Sequence, residues 1–130
     1  MKQEDIELLF KDLCARLPYE VKVTFAGYSG RDDCVLNAQQ LNIYNIEYLR
    51  LKPYLRPMSS ITEEEKEEIK PLFSKFTDEF GKPVLVVRQN KMALYQDWLN
   101  EHHFDYRGLI PMGLAIEVTE ENNPYNKQEE

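Results

Sequence analysis

Apolar residues near the start of the chain recur at steps of three and four positions, as they do on one face of a helix. The members of this stripe are Ile6, Leu9, Phe10, Leu13 and Leu17. Charged residues such as Asp12 and Arg16 fall between them, which predicts that these side chains lie on a polar face. Pro18 disfavours the helical conformation at the preceding residue. The pattern therefore predicts an amphipathic helix over Asp5–Leu17.

The next segment changes to a two-residue period. Val21, Val23 and Phe25 alternate with polar residues, which predicts a strand with one buried face. Residues 28–33 are typical of a turn, and residues 34–36 and 41–44 predict two further short strands. Together these segments predict an antiparallel meander.

Two prolines within Tyr48–Pro57 predict an extended or loosely turned crossing. Thr62 with Glu65 forms a capping-box pattern that predicts the start of a second helix. Apolar residues continue this helical stripe from Ile69 to Phe80, with a kink or restart at Pro71.

The run Val84–Val87 is apolar on both faces, which predicts a central strand covered on two sides. Asn90 is placed to cap a third helix. The predicted core face of that helix consists of Met92, Tyr95, Trp98 and Leu99. Asp105 is placed to cap a short turn that closes at Gly113, and residues 114–118 alternate as a last strand.

The irregular order of helices and strands predicts an α+β fold. We expect a small antiparallel or mixed sheet of about four to five strands, with helices packed mainly on one face. Residues 1–118 are expected to form a single α+β domain, because 130 residues suit one domain. Residues 119–130 are polar and without periodicity, so we expect a disordered C-terminal tail.

Composition narrows the classes of partner. The net charge of −7 argues against binding to duplex DNA or to an anionic membrane. The longest apolar runs have four residues, whereas a membrane-spanning helix needs about 20. No secretory apolar segment follows Met1, so a cytoplasmic location is expected. Cys14 and Cys34 form no metal-ligand spacing, and the pattern predicts no metal and no cofactor.

Two loop segments combine aromatic residues with arginines. The candidate binding residues are Tyr54, Arg56, His103, Asp105, Tyr106 and Arg107. Tyrosine and arginine are enriched at binding hot spots, so both loops are expected at one end of the sheet, where they present one aromatic–arginine surface. The structural alternative is that the tyrosines are buried and that each arginine pairs with a nearby carboxylate. No catalytic residue is predicted, because no familiar catalytic motif occurs.

Three blocks carry a family resemblance. They are residues 11–19, residues 52–60 with 62–66, and residues 97–110 with 114–117, including Lys52-Pro53-Tyr54-Leu55-Arg56-Pro57 and His102-His103-Phe104-Asp105-Tyr106-Arg107. In this order they resemble short uncharacterised proteins of the prophages and mobile elements of gut Bacteroidales. The resemblance implies accessory cargo of such an element and transfers no activity and no catalytic residue.

The resemblance implies an accessory protein of a phage or mobile element, and we expect it to act by binding a host or element-encoded protein. An exposed apolar or aromatic patch is typical of such a binding module. The first alternative is a small enzyme or ligand-binding protein that uses the corner from His102 to Arg107, and it requires a closed pocket with perturbed histidines. The second is an acidic mimic of nucleic acid. The oligomeric state stays open.

Overall fold

A computed structural model describes residues 2–25 and 34–125 of the chain. The α+β class is confirmed, with four helices, a four-stranded mixed sheet and a separate two-stranded hairpin in this part of the chain. The helices are α1 (Gln3–Arg16), α2 (Ile43–Glu47), α3 (Glu63–Ile69) and α4 (Met92–Glu101). The strands are β1 (Lys22–Phe25), β2 (Cys34–Val35), β3 (Leu51–Leu55), β4 (Phe73–Thr77), β5 (Pro83–Val87) and β6 (Ile116–Glu117).

The main sheet has the strand order β2-β1-β3-β6. Strand β1 pairs antiparallel with β2 and with β3, whereas β3 pairs parallel with β6. Strand β3 is therefore interior, and the crossing segment that contains it is more regular than the prolines predicted. Pro53 lies within this strand opposite Val23, with Leu51, Pro53 and Leu55 buried on one face.

Helix α1 supplies one side of the core. Its apolar stripe is confirmed, because Ile6, Leu9 and Leu13 are buried. They belong to a cluster that joins α1 to α2 and to the main sheet, and whose other members include Val21, Val23, Phe25, Ile46, Leu51, Leu55, Leu109 and Leu114. The placement of Asp12 and Arg16 on a polar face is wrong, because both side chains are fully buried. The predicted turn at residues 28–33 lies outside the described residues.

The predicted strand over residues 41–44 is wrong, because helix α2 begins there. Asn42 accepts a hydrogen bond through Oδ1 from the Asn45 N–H at 2.8 Å, which caps the helix. Ile46 is buried against the core. An alternation over only four residues favours a strand weakly, whereas the Asn42 cap and the burial of Ile46 both stabilise a helix.

The capping box is confirmed at α3, where Thr62 and Glu65 bond reciprocally. The predicted continuation of this helix to Phe80 is wrong. A 3-10 turn over Lys70–Leu72 ends it, and β4 begins at Phe73. Strand β4 pairs with β5, so Val84–Val87 belongs to one strand of a hairpin and does not form a covered central strand.

Helix α4 begins after a 3-10 turn over Gln89–Lys91, so the N-cap is Lys91 and not Asn90. Only Leu99 of its predicted core face is buried, with 4% of its surface exposed. Met92, at the start of this helix, is 57% exposed. No helix in the described ranges is both long enough and apolar enough to cross a bilayer.

The segment after β6 lies on the body up to Tyr125, in contrast to the expected disordered tail. The Tyr125 hydroxyl accepts a hydrogen bond from the Lys22 N–H at 2.8 Å and donates one to the Tyr54 carbonyl at 2.7 Å. It therefore bridges the backbones of β1 and β3. Residues 126–130 lie outside the described part of the chain.

Candidate functional site

The two predicted loop segments meet at the end of β3. Arg56 donates through its backbone N–H to the His103 carbonyl at 2.7 Å, and its own carbonyl accepts from the Asp105 N–H at 2.8 Å. These two bonds form a parallel bridge between Arg56 and Phe104. The predicted proximity of the segments is therefore observed, and its cause is main-chain pairing that the sequence pattern did not reveal.

The Arg56 side chain is held within the protein. Its guanidinium makes two hydrogen bonds of 2.8 Å to the Glu65 carboxylate and lies over the Phe104 ring at 4.1 Å. The bond to Arg56 lowers the pKa of the Glu65 carboxyl to about 2. An arginine in a bidentate pair has little capacity left for an incoming anion.

Arg107 is similarly paired, in this case with a buried carboxylate of α1. Its Nε donates to Asp12 Oδ1 at 2.9 Å, and Arg16 donates to both oxygens of Asp12 at 2.7 and 3.2 Å. One carboxylate thus holds two guanidinium groups, which we call the Asp12 network. Arg16 also donates to the Phe104 carbonyl at 2.6 Å, whereas its buried Nη1 has no partner among the described residues.

The Tyr106 ring packs against both guanidinium groups of the Asp12 network. Its ring centre lies 5.1 Å from the Arg16 guanidinium carbon and 5.0 Å from that of Arg107. Its hydroxyl donates to Oδ1 of the buried Asn100 at 2.8 Å. Tyr106 therefore locks α1, α4 and the loop at Arg107 together, which is a structural role.

A polar cleft of about 540 Å³ lies beside this network, between α1 and α4. Its lining includes Lys11, Cys14, Asp97, Asn100 and Arg107. Cys14 is exposed there as a thiol. The cleft contains cations and a carboxylate together, so its lining favours no single charge of ligand.

His103 lies at the opposite side of the bridge and is covered by Tyr125. The two rings stack with centres 3.8 Å apart. Burial, aided by the nearby charges of Arg16, His102 and Arg56, lowers the pKa of His103 to about 4, so the ring is neutral near pH 7. Its backbone φ of 65° is in the left-handed region. The stacked neutral ring anchors the C-terminal segment.

Asp105 has the capping role that its position predicted, and His102 bonds to the end of α4. Asp105 accepts from the N–H groups of Leu109 and Ile110 at 2.8 and 2.9 Å, which caps the following turn. His102 places Nδ1 2.9 Å from the Trp98 carbonyl at the end of α4. Tyr54 is half-buried on β3, opposite Ile116 of β6.

A different region exposes large apolar side chains, although its sequence pattern predicts a helical stripe and a covered strand. We call the side chains of Phe76, Phe80, Leu85 and Val86 the hairpin surface. Their exposed fractions are 52%, 80%, 65% and 40%. The turn residues Asp78 and Gly81 were the available sequence signal for this hairpin, since Asp78 Oδ1 accepts from the Phe80 and Lys82 N–H groups at 2.9 Å.

The hairpin is apolar on both of its faces. Directly opposed residues of an antiparallel pair share a face, so the register places Phe76 with Val84 on one face. Phe73 and Leu85 lie on the other, where they line an apolar groove of about 530 Å³. The remaining apolar lining of this groove consists of Met58, Ile61, Ile69 and Tyr95. Phe73 contacts the Tyr95 ring edge-on at 5.2 Å, which attaches the hairpin to α4.

The segment that contains the hairpin differs in charge from the rest of the chain. Residues 73–87, which form the hairpin, contain two lysines and two carboxylates and are neutral, whereas residues 70–91, which include the flanking 3-10 turns, have a net charge of +3 in a chain of −7. Lys75 and Lys82 form no ion pair with any described residue. The hairpin is thus apolar and neutral, and the excess of cations lies in the turns that flank it, at Lys70, Arg88 and Lys91.

Comparisons of the chain with protein-family models, with curated proteins and with solved structures found no match. The resemblance to proteins of mobile elements therefore stays a prediction. Within residues 2–25 and 34–125, no group of three histidine, cysteine or carboxylate side chains is arranged to hold a metal ion.

Proposed function

We propose that this chain acts by binding a protein partner through the hairpin surface and the adjoining apolar groove. The observation that carries the proposal is the exposure of four large apolar side chains on one two-stranded hairpin. Phe76 and Val86 lie on one face of the hairpin and Leu85 lies on the other. Large exposed apolar side chains that are gathered on one small element are typical of interaction sites.

The energetics of the hairpin support the same function. A two-stranded hairpin is marginally stable on its own, and here the Phe73–Tyr95 contact is a principal attachment to α4. An apolar element that contributes little to the core of its own domain favours a role outside that domain. Burial of apolar surface yields roughly 25 cal/mol per Å², so a partner that covers these side chains gains affinity from each of them.

The predicted aromatic–arginine surface is less suited to binding a partner than the hairpin surface is. Arg56 and Arg107 are each paired with a carboxylate, and Tyr106 bonds to a buried amide. A ligand at the aromatic–arginine surface would have to break interactions that stabilise the fold. The resemblance to proteins of mobile elements favours a partner encoded by the host or by the same element.

The proposal is tested by capture of partners from cells that express the chain. The double variant Phe80→Ser with Leu85→Ser removes exposed apolar area from the hairpin surface. The matched control is Tyr44→Ser with Tyr48→Ser, because these tyrosines are 61% and 63% exposed on and next to α2. A protein captured by the unmodified chain and by the control, but lost with the hairpin variant, supports the proposal. Equal capture by both variants contradicts it.

A further inference from the structure

The hydrogen-bonding pattern of the hairpin identifies which backbone groups face outward. The Arg88 N–H donates to the Leu72 carbonyl and the Asp78 N–H donates to the Lys82 carbonyl, both at 2.9 Å. Bonded and non-bonded pairs alternate along an antiparallel ladder, so the register makes residues 74 and 86, and residues 76 and 84, bonded pairs. The N–H and C=O groups of Leu85 and Val87 therefore point away from β4.

No strand pairs with the outer edge of β5 in the described part of the chain. An unpaired edge is a template for the addition of another strand. Natural proteins protect such edges with charges, and Lys75 in the middle of β4 serves this purpose on the opposite edge. Strand β5 carries no charge, and only Pro83, which lacks an N–H, interrupts its edge.

The charges at the two ends of β5 restrict the chemistry of an added strand. Lys82 and Arg88 bracket the strand. Arg88 Nε donates to the Phe73 carbonyl at 3.2 Å, and its remaining N–H groups have no partner among the described residues. Carboxylates at the ends of an incoming strand would complement both cations, while apolar side chains between them would cover Leu85.

A second copy of this chain fits the same edge poorly. Antiparallel pairing of two β5 strands about Leu85 would place Lys82 of each copy opposite Arg88 of the other. Like charges directly opposite each other on neighbouring strands are destabilising. Charge therefore favours a different protein over a homodimer.

We propose that the partner of the hairpin surface adds an extended segment to the outer edge of β5, and that this segment has apolar residues in its middle and carboxylates at its ends. This inference rests on the proposed function and specifies the mode of binding and the class of partner. Main-chain hydrogen bonds to Leu85 and Val87 supply affinity, and the pairs with Lys82 and Arg88 supply selectivity.

The test uses the full chain and a synthetic peptide of alternating valine and threonine with a glutamate at each end. We expect the peptide to slow hydrogen exchange at the amides of Leu85 and Val87, and not at those of Lys75 and Thr77. Two further peptides test the direction of the main-chain bonds. One is N-methylated at every odd-numbered residue and the other at every even-numbered residue. Since only alternate N–H groups of an added strand face β5, strand addition requires that one peptide loses binding and the other retains it.

A charge swap tests selectivity. The unmodified chain should bind the glutamate-ended peptide roughly fivefold more tightly than a lysine-ended one, since two exposed pairs contribute modestly. The double variant Lys82→Glu with Arg88→Glu should reverse this preference. Strand addition is overturned if the peptide leaves the hydrogen exchange of the Leu85 and Val87 amides unchanged. It is also overturned if the two N-methylated peptides bind equally well.

These results separate the two proposals. Loss of the captured partner with the hairpin variant, together with no slowed exchange at Leu85 and Val87, retains protein binding and overturns its mode. Slowed exchange of both amides in the absence of peptide, with a dimer in sedimentation, overturns the assignment of a different protein as partner.

Discussion

The substitution Asp12→Asn should lower the free energy of unfolding of this protein more than any conservative substitution at its surface. Asp12 is fully buried and neutralises Arg16 and Arg107 at distances of 2.7 and 2.9 Å. Asparagine preserves the size of the side chain but removes its charge and places an N–H group where an acceptor is needed. The buried Arg16 guanidinium would then have lost its carboxylate.

The size of the effect follows from the burial. Removal of one partner of a buried ion pair typically costs about 3–5 kcal/mol. Arg107 retains partial solvent access, with 17% of its side chain exposed, so the penalty arises mainly from Arg16. For a domain of this size the expected decrease in Tm is roughly 10–20 °C, at about 4 °C per kcal/mol.

Urea unfolding followed by circular dichroism measures the free energy of unfolding directly. The matched control is Asp97→Asn, because Asp97 is exposed beside the polar cleft and makes no ion pair with a described residue. The control should change the free energy of unfolding by less than about 0.5 kcal/mol. A loss below about 1 kcal/mol for Asp12→Asn would refute the view that this network holds α1 to the loop at Arg107.

Three further changes test other parts of the structure. Tyr125→Phe should cost about 1–3 kcal/mol in urea unfolding, since it leaves two backbone groups without their partner, whereas Tyr44→Phe on an exposed ring should be neutral; equal losses would refute the docking of the C-terminal segment. Stability should fall as the pH decreases from 6.5 to about 4, because His103 takes up a proton in the unfolded chain in this range, whereas its pKa in the folded protein is about 4. Thermal unfolding at each pH measures this profile, and His103→Phe should flatten it. Phe80→Ser should change the free energy of unfolding by less than about 0.5 kcal/mol, whereas Leu99→Ala should cost about 2–5 kcal/mol; the reverse order would mean that the hairpin belongs to the core.

Local patterns predicted the parts of the fold that local physics decides. The stripe of α1 and the box between Thr62 and Glu65 depend on residues within a few positions, and both are observed. The pattern does not predict the hairpin, because Phe73, Phe76 and Phe80 repeat at helical spacing and Pro71 fits a kink within a helix. The exposure of the Val84–Val87 run could not be predicted, because burial depends on which elements cover a strand.

The candidate site shows the same limit. The spacing of Asp12 and Arg16 suits an ion pair within a helix, but their complete burial depends on Tyr106 and Arg107, some 90 positions away. The sequence pattern singles out these two loops, and the structure pairs their backbones at Arg56 and Phe104. It could not show that their arginines already have carboxylate partners.

The central claim is that the hairpin surface is where a partner binds, and photo-crosslinking tests it most directly. A photoreactive phenylalanine analogue is placed at position 80 in one chain and at position 44 in another, and both are irradiated in cells that express the partner. The account predicts a discrete adduct with a second protein from position 80 and none from position 44. Adducts from position 44 alone, or from neither position, would contradict it.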